Sequence, residues 1–243
     1  AFYQDRFADA SDFTFVFVGS FDLDRMRPLV STYLGGLPAI GRQETWRDVG
    51  ITPPSGVVRK VVRKGIEEQA QTQIIFTGPF EYAPKNVHVL RSLGEVLEIR
   101  LREVLREDLG GTYGVTVSAS AARDPTPRYS VQIGFGSAPD RAEELTGVVF
   151  ALLDSLAAAG PTAEELQKVR EMQRRERETA LRQNGYWLNA LVTRYREGRD
   201  PRDILEVDRM IDALDAAAIR DAARRYLRKD NYVQVMLLPE KTP

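Results

Sequence analysis

The sequence predicts an α/β sandwich in which long helices cover one face of a β-sheet. Short runs rich in Val, Ile and Phe, bounded by Gly or Pro, are typical of strands. Longer segments repeat apolar residues every three or four positions, as amphipathic helices do. Strands and helices alternate along all 243 residues without a clear linker, so we expect a single domain over residues 1–243.

The predicted strands are short apolar or alternating runs that end near Gly, Pro or Asp. They would form a sheet of about five to six strands. Their positions are residues 12–19 (DFTFVFVG), 57–64, 71–78, 113–121, 128–136 and 232–238.

The predicted helices begin at recognisable capping residues. Asp22 suits an N-cap, Pro84 suits the first helical turn, and Thr162 with Glu165 forms a capping box. The predicted helices are residues 22–33, 84–105, 141–158, 162–183, 187–197, 202–205 and 214–227.

The composition excludes several kinds of partner and site. A net charge of -1 gives no reason to expect nucleic acid or an anionic membrane. No apolar run reaches the ~18–20 residues that span a bilayer. The chain has no Cys, and its one His, His88, cannot build an ordinary zinc site alone, because such sites need two or three imidazoles. The chain starts without Met or a signal peptide, so we expect a piece of a longer protein.

The most informative segment is residues 105–115, LREDLGGTYGV, where a predicted helix meets a predicted strand. This order places Arg106 on the last helical turn and Tyr113 at the start of the strand. A guanidinium and a phenol at one corner can both donate hydrogen bonds to a carbonyl oxygen or its oxyanion. In the structural alternative, Arg106 caps the helix and Tyr113 fills the sheet edge. Since the chain lacks groups that would attack a carbonyl, the sequence indicates a contributor to a catalytic chamber.

Other conspicuous residues favour structural roles. His88 has no second ligand at i+4 and is expected to be partly packed or at the surface. Residues 134–136, Gly-Phe-Gly, lack the spacing of a phosphate-binding loop. The mixed charges of residues 164–182 indicate a solvated helix face. Tyr186 and Trp187 favour a packed corner, with a substrate-facing role as the alternative.

Five segments in a fixed order carry a resemblance to a known family. They are FTFVFVGSFD (13–22), YLGGLP (33–38), FTGP (76–79), the Arg/Tyr segment (101–115) and QNGYWL (183–188). Together they resemble the C-terminal domain of the insulinase/pitrilysin-type zinc peptidases, or inverzincins, particularly the two-half bacterial members. The similarity extends over essentially the whole chain.

This resemblance implies the insulinase and mitochondrial-processing-peptidase fold, with a mostly antiparallel mixed sheet. Such enzymes enclose a chamber between two halves, and the N-terminal half carries zinc in an inverted H-x-x-E-H motif with a distal Glu. This chain would be the non-catalytic half, with no cofactor and no metal ligand of its own. By position, Arg106 and Tyr113 match the family's Arg and Tyr, which would bind the substrate and stabilise the tetrahedral intermediate.

The expected partners are the N-terminal half of the same peptidase and a peptide substrate, without nucleic acid or a transmembrane segment. The isolated domain is expected to be inactive and to self-associate through surface that faces the missing half. The resemblance implies a bacterial periplasm or cell envelope. Two alternatives stay open: a structural or peptide-binding subunit of this fold with no peptidase role, and an unrelated α/β domain in which Arg106 and Tyr113 are structural.

Overall fold

The computed structural model describes residues 1–112 and 114–240, and their side chains except those of residues 107 and 108. The chain forms two compact units. One contains residues 1–49 and 175–208, and the other contains residues 50–174 and the chain from 209 onward. The second unit holds the β-sheet.

The sheet has five strands within the described residues, in the order β1-β5-β2-β4-β3. Strands β1 and β5 are parallel, and the other neighbours are antiparallel. This confirms the predicted mixed, mostly antiparallel sheet. The strands are β1 Val57–Arg63, β2 Ala70–Pro79, β3 Val115–Ala122, β4 Arg128–Ser137 and β5 Tyr232–Leu238.

The helices follow the predicted caps. Asp22 accepts hydrogen bonds from the backbone N–H groups of Asp24 and Arg25, at 2.8 and 2.9 Å. Thr162 and Glu165 form the predicted capping box, with N–O distances of 3.1 and 2.7 Å. The helices are α1 Phe2–Arg6, α2 Leu23–Tyr33, α3 Pro84–Arg102, α4 Ala142–Ala159, α5 Ala163–Ala180, α6 Asn184–Glu197, α7 Val207–Ala213 and α8 Ala216–Tyr226.

Helices cover one face of the sheet, as predicted. Alternate residues of β2, namely Thr72, Ile74 and Phe76, are completely buried, whereas Gln71 and Gln73 are exposed. The buried side chains pack against α3, α4 and α8 in one apolar core. The opposite face of β2, β4 and β3 therefore carries the polar residues of each strand.

The predicted strand over residues 12–19 is wrong: the structure has no strand there. Phe13, Phe15 and Phe17 remain 38%, 45% and 47% exposed. Alternating apolar residues form a strand only where a neighbour supplies backbone hydrogen bonds, and no described strand pairs with this run. The sequence also missed α1 and α7, and residues 202–205 lie in a 3₁₀ turn, Pro201–Glu206.

No single helix among the described residues is long and apolar enough to cross a membrane. The helical segments Pro139–Ala159 and Ala163–Ala180 reach that length and apolar character only as a pair, which is bent by 94°.

Candidate functional site

The corner that carries Arg106 is a π-helical turn, Glu103–Asp108, which continues directly from α3. The backbone N–H of Leu109 donates to the carbonyl of Val104, five residues earlier, at 3.1 Å. The Leu105 side chain is completely buried, whereas Arg106 next to it is exposed. Single π turns inside helices occur frequently at functional sites, because the wider turn shifts the direction of the side chains that follow. The predicted α-helix to residue 105 thus ends earlier, at Arg102.

Glycines shape both sides of this corner. Gly110 has a φ of +55°, a left-handed conformation that suits glycine. On the supporting side, Gly94 of α3 faces β3, and a Cβ added to Gly94 would lie 2.7 Å from the Cβ of Ala119. The helix that leads to Arg106 therefore packs against β3 at a distance that only glycine permits.

Thr112 fixes the start of β3 to the end of β4. Its side chain is 8% exposed. The hydroxyl lies within hydrogen-bond distance of the carbonyl oxygens of Gly114 and Gly136, to either of which it can donate its one proton, and it accepts from the Gly114 N–H at 3.2 Å. Arg141 adds a 3.3 Å hydrogen bond from Nη1 to the carbonyl of Leu109. The residues on each side of position 113 are thus tied to the fold.

Of the two predicted site residues, Arg106 lies at this exposed corner, and Tyr113 lies outside the described residues. Within the described part of the chain, no ion pair engages Arg106. The pairing of Arg106 with Tyr113 stays a prediction.

His88 is partly buried at the start of α3, as expected for a packed histidine. Burial and the nearby charge of Arg91 lower its pKa, and a hydrogen bond to the backbone of Met210 opposes them. Among residues 1–112 and 114–240, no three His, Asp or Glu side chains lie close enough together to hold a metal ion. The described residues therefore do not fit a catalytic zinc ion.

The aromatic corner near α6 is packed within its own unit. The Tyr186 hydroxyl accepts a 2.7 Å hydrogen bond from Arg177 Nη1, and Trp187 Nε1 donates to the carbonyl of Leu181 at 2.9 Å. Arg177 is only 7% exposed and also bonds the carbonyl of Ile204 at 2.9 Å. The expected solvated helix face is wrong at Arg177, because its guanidinium has these buried partners.

Comparison with known proteins places these features in a family. The family model described as "Peptidase M16 inactive domain" matches residues 1–173. The "Zinc protease PQQL-like" protein of Arabidopsis thaliana is 25% identical over 266 residues, which cover 99% of this chain and 28% of that protein. The "Probable zinc protease PqqL" of Haemophilus influenzae is 24% identical over 233 residues, which cover 93% of this chain and 24% of that protein. The chain thus spans about a quarter of the length of these curated relatives.

A solved structure shows the same fold. The periplasmic protease PqqL from Escherichia coli superposes with a TM-score of 0.77 at 20% identity, over 91% of this chain and 25% of that one. At this identity the likeness establishes the fold alone. Because the family model covers more than half of the sequence, the protein belongs to the family of peptidase M16 inactive domains.

Proposed function

We propose that residues 1–243 are the zinc-free, substrate-contacting C-terminal domain of a two-half zinc metallopeptidase. Family membership and two relatives described as zinc proteases support this proposal. The relatives are about four times as long as the matched region, which leaves ample length for an N-terminal half that holds the zinc. The bacterial relative called a periplasmic protease supports a location in the periplasm or cell envelope.

In this proposal, Arg106 and Tyr113 act on the scissile peptide of the substrate. A zinc ion held by the other half would activate the attacking water. The Tyr113 hydroxyl donates a hydrogen bond to the carbonyl oxygen as negative charge develops there, and Arg106 holds the neighbouring substrate backbone. One pre-aimed donor of this kind lowers the activation free energy by about 2.7–4 kcal/mol.

The observation that carries the proposal is the position of Arg106. The helix ends in a π turn, and this turn carries the exposed guanidinium of Arg106. Arg106 follows the buried Leu105 and precedes Thr112, which is hydrogen bonded to the end of β4. Rigid elements on both sides keep the orientation of such a group fixed before the substrate binds.

Reconstitution tests the proposal. The N-terminal half of the parent protein and this chain are purified separately. Cleavage of a quenched fluorescent peptide is then measured, as the rise in fluorescence, for each half alone and for the mixture with zinc. We expect activity only in the mixture, with stoichiometric zinc bound to the N-terminal half. Hydrolysis by this chain alone would refute the proposal. An inactive mixture in which the halves bind each other would instead favour the structural or peptide-binding subunit.

A further inference from the structure

A cleft of about 360 Å³ opens on the uncovered face of the sheet, beside Gly114. Its walls come from the ends of β2, β4 and β3 that lie nearest the Arg106 corner. The volume falls in the range of about 300–1,000 Å³ that is typical of ligand sites. The lining residues are all uncharged, and those that matter here are Gln71, Gln73, Thr116, Gly134 and Gly136.

Two glutamines of β2 lie across two glycines of β4. Gln71 is paired with Gly136, and Gln73 with Gly134. A Cβ on Gly134 would come within 2.5 Å of Gln73 Nε2, and one on Gly136 within 2.8 Å of Gln71 Nε2. The carboxamides therefore occupy the space that side chains on β4 would fill, and the glycines are what make room for them.

These two carboxamides have free hydrogen-bonding capacity. Both side chains are exposed, and neither carboxamide is hydrogen bonded to another of the residues that the structure describes. Each carboxamide offers two N–H donors and a carbonyl acceptor. It can therefore donate to the C=O of a peptide bond and accept from its N–H. The Thr116 hydroxyl, in contrast, already donates a hydrogen bond to the carbonyl oxygen of Gly134 at 3.4 Å.

We propose that Gln71 and Gln73 bind the main chain of an extended, uncharged segment of the peptide substrate. This inference rests on the proposed function, because the cleft adjoins the residue that follows Tyr113. The absence of charge from the lining residues favours a neutral segment, since a charged side chain would lose water there without gaining an ion pair. The glutamines are binding residues that hold the substrate equally before and during the reaction, so they lower KM without raising kcat.

The test uses the full-length zinc enzyme that contains this domain. Gln71→Ala and Gln73→Ala each remove one neutral hydrogen bond to the substrate main chain, which predicts a rise in KM of roughly two- to twelvefold per variant, with kcat unchanged. Gln132→Ala is the matched control: Gln132 is an exposed glutamine of β4 outside the cleft lining, and its Nε2 donates to Ser130 Oγ at 3.3 Å. KM should not change in the control.

A second measurement separates this inference from the proposed function. Fluorescence anisotropy of a labelled, uncharged decapeptide of Ala, Ser, Thr and Gly reports binding to the 243-residue chain without any hydrolysis. We expect Gln71→Ala and Gln73→Ala to weaken this binding by the same factors, and Gln132→Ala to leave it unchanged. Equal binding and equal KM in all variants would overturn the inference even if Tyr113→Phe abolished turnover. Loss of binding without any effect of Tyr113→Phe would instead contradict the catalytic role alone.

Discussion

Arg100 and Glu165 form a two-point ion pair that joins α3 to the first turn of α5. The Nε–Oε1 and Nη2–Oε2 distances are both 2.7 Å, and the side chains are only 11% and 10% exposed. Glu165 also accepts the backbone N–H of Thr162 at 2.7 Å. One carboxylate thus serves both as a helix cap and as the partner of a nearly buried guanidinium.

Glu165→Ala should destabilise the protein by about 3 kcal/mol, because the Arg100 charge would remain nearly buried without a partner. Urea unfolding followed by circular dichroism measures this. Glu164→Ala is the matched control, since its ion pair with Lys168 is 75% and 53% exposed and is worth about 0–1 kcal/mol. An equal loss of unfolding free energy in the two variants would show that the Arg100–Glu165 pair stabilises the protein no more than an exposed ion pair does.

The same pair predicts how stability depends on pH. Burial alone would raise the pKa of Glu165, but hydrogen bonds from Arg100 and Thr162 outweigh it, and the net pKa lies below the ordinary 4.5. A carboxyl with a lowered pKa in the folded state stabilises the protein above its unfolded pKa, and this contribution is lost as the pH falls through the folded pKa. The urea midpoint should therefore fall more steeply in the wild type than in Glu165→Gln between about pH 5 and about pH 3. Parallel pH profiles for the two proteins would contradict the prediction.

Gly94→Ala should destabilise the fold by about 1–3 kcal/mol, because the new methyl group would meet Ala119 of β3 at 2.7 Å. Gly147→Ala in α4 is the control: a Cβ there meets nothing within 4 Å, and removing a helical glycine should stabilise the helix by about 0.5–1 kcal/mol. Thermal unfolding of both variants provides the comparison. If Gly94→Ala stabilised the protein instead, α3 would be able to move away from β3 without a loss of stability, and the prediction would be wrong.

In the full-length enzyme, Tyr113→Phe should lower kcat by roughly 10²–10³-fold, because one donor to the developing oxyanion is lost. The zinc content, measured by atomic emission, should stay at the wild-type value.

Arg106→Lys should recover only part of the activity that Arg106→Ala loses, since an ammonium cannot form the two parallel hydrogen bonds of a guanidinium. Full activity in Arg106→Lys would reduce Arg106 to a simple positive charge or helix cap.

The sequence predicted the sheet and most helices well, because their signals are local. Asp22, Pro84 and the Thr162–Glu165 pair each act within one helical turn, and the structure confirms all three. The strand over residues 12–19 failed for the opposite reason: pairing depends on a neighbouring strand, which a single segment of sequence cannot reveal.

The candidate site was only partly predictable. The corner between helix and strand follows from Gly110 and Gly111, but the π turn does not, because its apolar spacing over a few residues resembles an ordinary α-helix. The sequence carries no signal that distinguishes Gln71 and Gln73 from other strand residues. Only the register that sets them opposite Gly136 and Gly134 distinguishes them, and register is a property of two strands.

The strand order has a consequence for how the protein folds during synthesis. Strand β5, which is synthesised after the other four described strands, lies between β1 and β2, and Val57 pairs with Tyr232. A growing chain can form the β2–β4–β3 ladder early, but β1 has no neighbour until β5 leaves the ribosome. Contacts so distant in sequence form slowly. During that delay, β1 and the free edge of β2 remain open to wrong partners, and chaperones have most to protect there.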